Sequence, residues 1–222
     1  MTSFARYYKD RQLFDVSMEE LEELIKDEQN KAKVAELIYQ RYFNRYLKLF
    51  TYKSSQPSET CYWEGGKVIG QKNEFDFEYK SGFIIMTSCC LLIETIAAFF
   101  KGLDQTPKNG GGIEAFKSVF AKAEQYKNRL SEFKDEPIYK NIRNGLLHQG
   151  ETYGKFLIRR SGKLFDASNK AINATLFARH LDEFLQSYRD ELKNSKWDSA
   201  LWDKCRVKLR YIIENSKPVS GQ

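Results

Sequence analysis

From Ser81 to Phe100 the chain carries a single charged residue, Glu94, in a stretch that is otherwise mostly apolar. A helix over about 80–102 with this composition is apolar around most of its circumference. The interior of a helical bundle is where such a helix finds partners on every side. Thr87, Ser88, Glu94 and Thr95 interrupt its longest apolar run, Phe83 to Phe100, so no run reaches the ~18 residues that mark a membrane span. The expectation is a central bundle helix, with the remaining helices each offering it one apolar stripe.

The flanking segments supply such stripes. Ser17-Met18-Glu19-Glu20 is a capping box opening a helical pattern. Leu21, Leu24 and Ile25, then Val34, Leu37, Ile38, Arg41, Tyr42 and Tyr46, extend it from about 18 to 50 with a break near Asn30. Residues 51–79 hold Pro57, Gly65, Gly66 and Gly70 and predict a long loop with an irregular hairpin. After the central helix come one over about 112–133, irregular near Lys127, and one over about 135–149 that ends at Gly150. KFLIRRSGKLFDA, turning at Ser161-Gly162, predicts a β-hairpin. Asn173 caps a helix over about 174–194, and an extra C-terminal helix follows over about 197–215. The fold class is therefore all-α, a bundle of long antiparallel helices with one small β-hairpin. It forms one domain over 1–222, with a core at about 18–195 and a tail at 217–222.

Composition narrows the chemistry. With 222 residues and 14% aromatics the chain can bury a full core. MTSFARYYKDRQ lacks the apolar region of a signal peptide, so a cytoplasmic protein with no membrane partner is expected. Residues 1–100 carry 13 basic and 15 acidic groups, whereas 101–222 carry 23 and 15, so the basic excess lies in the second half. That half could attract a polyanion, although a solvated surface gives the same balance. Cys61, Cys89, Cys90 and Cys205 form no C-x-x-C pair, and with two histidines in the chain no standard zinc spacing arises. No metal and no cofactor are expected. Asn109-Gly110-Gly111-Gly112 lacks the Lys-Ser/Thr of a phosphate loop and is a connector.

Histidine chemistry must pass through His148 or His180. His180 lies on an apolar stripe with Phe177 and Phe184 and is assigned a structural role. His148 ends the segment Tyr139-Lys140-Asn141-Ile142-Arg143-Asn144-Gly145-Leu146-Leu147-His148, which contains R-N-x-x-x-H. This resembles the R-x(4–6)-H signature of the HEPN superfamily, with Arg143, Asn144 and His148 at the Arg, polar and His positions. SCCLLIE followed by RNGLLH is similar to a bacterial branch of that superfamily. The resemblance implies a helical bundle and a metal-independent ribonuclease in a homodimer, with RNA as substrate and an antitoxin or regulatory protein as a further partner. It equally admits a non-catalytic module that binds a nucleotide or a protein.

Under the catalytic reading the ribose 2′-hydroxyl attacks the adjacent phosphate. His148 supplies proton transfer near neutral pH, and Arg143 a permanent planar cation for the phosphate oxygens. Asn144, four residues before His148, positions the phosphate or the ring. Glu94 on the core helix is expected to hold Arg143, as an acidic residue on such a helix often does in the family, or else to make a simple core or interface polar contact. In a straight helix Arg143 and His148 diverge by ~140°. Unwinding near Gly150, or a twofold axis that brings two motifs face to face, would let them converge. Arg159 and Arg160 beside the hairpin turn, and Tyr153, are candidate RNA contacts. The plain alternatives are a solvated turn, a packed ring, and a His148 that merely suits a helix C-terminus.

Overall fold

The computed structural model describes residues 2–9, 11–51, 59–64, 67–73 and 81–217, with side chains described outside 9 and 51–80. The chain is mostly helical with small sheets. Strands β1 (Ser3–Lys9) and β2 (Gln12–Ser17) form an antiparallel hairpin ahead of the first helix. Helix α1 (Met18–Leu24) begins where expected, with the Ser17 hydroxyl accepting from the Glu20 N–H at 3.1 Å. The Glu20 carboxylate pairs with Lys33.

The single helix expected over 18–50 is divided. A short 3-10 turn (Glu28–Asn30) precedes α2 (Lys31–Tyr42), which runs through a π turn (Phe43–Leu47) into α3 (Lys48–Thr51). The first interruption begins at Ile25, before the expected Asn30. Asp27 accepts from the Gln29 N–H at 2.9 Å and caps the new turn, a local alternative to helix that a short polar side chain provides. Within 51–79, β3 (Glu59–Glu64) and β4 (Lys67–Asn73) pair antiparallel, and the rest of that expected loop lies outside the described residues.

The central helix is α4 (Gly82–Lys101). Ile85, Met86, Cys89, Cys90, Leu92, Ile93, Ile96, Ala97 and Phe99 are all buried. Gly102, in a left-handed conformation, closes it. Helix α5 (Gly111–Gln125) ends at Tyr126, and Lys127 takes φ +54°, which accounts for the expected irregularity and leads into a 3-10 turn (Arg129–Phe133). The helix expected over 135–149 is instead a π turn (Tyr139–Arg143) followed by α6 (Asn144–Gln149). Helix α7 (Ala174–Asn194) is capped by Asn173, whose side chain accepts from the Leu176 N–H. Helix α8 (Ala200–Glu214) is capped by Ser199.

Around α4 are packed α5, α7, α8 and the Tyr139–Arg143 turn. Phe99 meets Tyr42 and Tyr188 edge-on, and Phe133 meets Phe165 and Phe177. Each fully buried ring among them, such as Phe99, Phe133 and Phe177, contributes about 1.5–3 kcal/mol through burial alone. The core reaches both ends of the described chain. Phe4 and Ala5 of β1 are buried, as is Trp202 of α8, whose indole N–H donates to the Leu192 carbonyl at 2.9 Å.

The hairpin expected around Ser161-Gly162 does not form. β5 (Leu157–Arg159) and β6 (Phe165–Asp166) are separated by β7 (Ala171–Asn173), which pairs parallel with β5 and antiparallel with β6. Ile172 is the physical reason. It is fully buried at the centre of the sheet, so burial draws β7 between two strands that are less buried than itself. The fold thus has more β-structure than the one hairpin expected.

By length and composition α4 is the one helix among the described residues that could cross a membrane. Slightly more than half of its apolar window (56%) is buried inside the bundle, which already accounts for much of that composition.

Candidate functional site

The candidate site is built on the chain from Tyr139 to Phe156. Arg143 closes the π turn and Asn144 begins α6. The Arg143 guanidinium points at α4, where Nε donates to Glu94 Oε1 at 2.6 Å and Nη2 to Glu94 Oε2 at 3.3 Å. This is the fork-to-fork geometry that makes Arg–carboxylate pairs directional. The two side chains are 19% and 14% exposed, so the pair is largely shielded from solvent and its charges are not fully screened. Burial opposes the Arg143 charge, but the hydrogen bond and charge of Glu94 outweigh it and raise the guanidinium pKa further.

Two more contacts fix Arg143. Its Nη1 donates to Asn144 Oδ1 at 3.3 Å, and the guanidinium carbon lies 5.3 Å from the centre of the Tyr139 ring. Tyr139 is in turn set edge-on against Phe116 and presses against Gly112 of α5. A Cβ at Gly112 would lie 2.1 Å from the Tyr139 ring, so this close approach requires glycine. Sequence reasoning passed over Tyr139. The available signal was its place one helical turn before Arg143, the i,i+4 spacing that brings side chains together.

His148 is exposed, in the last turn of α6, and has no hydrogen-bond or ion-pair partner among the described residues. The helix stays regular through Gln149, and Gly150 at φ +70° ends it. The unwinding that would let Arg143 and His148 converge within one chain is therefore absent. Asn144 and His148, four residues apart on a regular helix, share a face, while Arg143 is turned toward Glu94.

Beyond Gly150 the chain folds back over the segment. A Cβ on Gly145 would lie 2.3 Å from the Glu151 carbonyl oxygen, so only glycine permits the return. The Tyr153 N–H then donates to the Asn141 carbonyl at 2.8 Å, and Thr152 Oγ1 to the Phe156 carbonyl at 2.6 Å. These bonds hold Tyr153 beside the motif, the residue 42% exposed. Arg159 ends β5 and is exposed, and Arg160 follows it, also exposed. Both belong to the three-stranded sheet region and not to a hairpin turn.

The His180 side chain is 15% exposed on α7. Its Nδ1 is 2.7 Å from Glu183 Oε2, and its carbonyl accepts from Asn128 Nδ2 at 2.9 Å. Cys89 and Cys90 are fully buried, and burial first, then neighbouring charge, pushes both thiols up, as expected of core residues. Burial pushes the Cys205 thiol up to about 12. The side chain of Cys61 lies outside the described residues. No three His, Cys, Asp or Glu side chains are clustered for a metal ion among the described residues. No family model, curated protein or solved structure matches the chain.

Proposed function

We propose that this chain is a HEPN-type, metal-independent endoribonuclease acting as a homodimer. The observation that supports it is the division of labour on one short segment. Arg143 is anchored by Glu94 and Tyr139, while His148, five residues on, is exposed and without a partner among the described residues. A fixed cation and a free imidazole are the two groups that 2′-hydroxyl attack on a phosphodiester needs. Because α6 keeps them on different faces, each half-site is completed by the second copy, with two motifs across a twofold axis. Asn144 then steadies the phosphate or the ring, and Tyr153, Arg159 and Arg160 receive the strand on either side. The proposed setting is the cytoplasm, with an antitoxin or regulatory protein as a further partner.

The second reading is a non-catalytic module of the same kind that binds a nucleotide or a protein. The saturation of Arg143 favours it. Three of the guanidinium's donors are directed at Glu94 and Asn144, leaving fewer for a phosphate. Incubating the purified chain with mixed RNA in EDTA separates the two. Cleavage that disappears in His148→Ala supports the nuclease; a folded dimer that cuts no RNA supports the module.

A further inference from the structure

Arg41 on α2 is 8% exposed. Its Nη1 donates to the Phe4 carbonyl, its guanidinium carbon lies 4.5 Å from the centre of the Phe4 ring, and its Nε is buried with no hydrogen-bond partner. Among the described residues no carboxylate is paired with it. Burial lowers its pKa; Tyr42 acts in the opposite sense, and the charge of Arg45 adds to the lowering. Arg45, four residues on in the π turn, is exposed and also unpaired among the described residues. Lys208 on α8 is 9% exposed, and its Nζ donates to the Asp104 carbonyl. The Asp104 carboxylate accepts instead from Asn215 Nδ2 at 2.7 Å. Burial lowers the Lys208 pKa, with the Asp104 charge opposing at longer range.

All three cations line one cleft of about 350 Å³, with Tyr42, Tyr46, Glu94 and Asp104 also on its wall. Glu94 is already neutralised by Arg143, so it does not serve the cleft's cations. The larger cleft of about 540 Å³ differs, because there Lys217 pairs with Glu214 and Lys26 with Glu23. Asp104 sets one carboxylate against them without an ion pair among the described residues, so two nearly buried cations and the exposed Arg45 keep an excess of positive charge that an anion would complete.

We infer that the cleft between α2 and α8 is an anion site that takes a phosphate group. Arg45 and Lys208 grip its oxygens from two separate elements, and Arg41 supplies positive charge behind them. The volume lies at the small end of small-molecule sites, matching a phosphate or diphosphate with the group it is attached to. A free nucleotide and the 5′ end of an RNA strand both present that group. The site requires no cleavage by the Arg143–His148 segment, so it stands or falls separately from the nuclease reading.

Calorimetric titration of the full chain with pyrophosphate at low ionic strength tests it. The expected result is saturable binding to the wild type and to His148→Ala. Affinity should fall by about tenfold or more in Arg45→Gln and in Lys208→Met, reflecting one lost charge-assisted contact each. Arg45 is exposed, so its substitution leaves the fold intact, and circular dichroism verifies both variants. Displacement of pyrophosphate by ADP supports the site with a free nucleotide as the source. Displacement only by a 5′-phosphorylated oligoribonucleotide, and not by its 5′-hydroxyl counterpart, supports it with a strand end. No binding by the wild type at millimolar pyrophosphate overturns the inference, as does binding that both variants leave unchanged.

Discussion

Removing both members of the Glu94–Arg143 pair should cost less than the sum of removing each alone. At an effective dielectric of about 20, unit charges ~4 Å apart attract by about 4 kcal/mol. Partial burial of the two groups offsets some of this, since their side chains are 14% and 19% exposed. Glu94→Gln keeps the shape but turns an amide donor toward the guanidinium donors. Arg143→Met leaves the Glu94 carboxylate beside the buried Cys90 with no cation. Each single change should destabilise by about 3 kcal/mol, mostly through the charge left behind. For a chain of this size that lowers Tm by about 6–12 °C. The double variant should lose less than the sum of the singles, with a coupling energy of about 2 kcal/mol. Urea and thermal unfolding of the four proteins, followed by circular dichroism, measure these quantities. Strict additivity, or singles within about 0.5 kcal/mol of wild type, would refute the reasoning that this pair anchors the motif.

Three further outcomes are expected. Gly145→Ala pushes a methyl group onto the Glu151 carbonyl, so it should cost about 1–3 kcal/mol and loosen the return of the chain to Tyr153, read as faster amide exchange at Tyr153. Glu36 links α2 to α7 through Lys193 at 2.8 Å and Arg189 at 3.8 Å. Burial works against its charge, but Lys193, Gln40 and Arg189 outweigh it and hold the carboxyl below its ordinary value of 4.5. A lowered carboxyl pKa gives stability that is present above the unfolded value and lost as pH falls through the folded one. Glu36→Gln should therefore cost about 1 kcal/mol at pH 7, with the difference vanishing toward about pH 3, in urea titrations at each pH. Arg159→Ala should leave Tm unchanged while lowering the salt slope of RNA binding by about 1, measured by fluorescence anisotropy across salt concentrations.

Helices with a strong one-dimensional signal were legible in the sequence. The near absence of charge from Ser81 to Phe100 marked α4, and Asn173 with the stripe through Phe177, Leu181, Phe184 and Tyr188 marked α7. Glu94 was legible as a lone carboxylate on a core helix in need of a partner, whereas the choice of Arg143 came from the resemblance. The N-terminal hairpin was not. Arg11 occupies its turn at φ +64°, a conformation usually signalled by glycine or asparagine, and Phe4 and Ala5 are both buried, which hides the alternation of a strand. Nor was β7 legible, since three residues between a loop and a helix cap carry no period. The π turns at Phe43–Leu47 and Tyr139–Arg143 left no composition signal either, although the second orients Arg143. Buried cations at Arg41 and Lys208 depend on contacts between distant segments, Phe4 and Asp104, that spacing along the chain does not encode.

The catalytic reading is tested most directly by the ends left on a cut strand. A single labelled RNA is incubated with the purified chain in EDTA, and its fragments are examined for terminal chemistry. The expected products carry a 2′,3′-cyclic phosphate and a 5′-hydroxyl, and His148→Ala yields none. Fragments with a 5′-phosphate, cleavage that appears only with added divalent metal, or full activity in His148→Ala would contradict it.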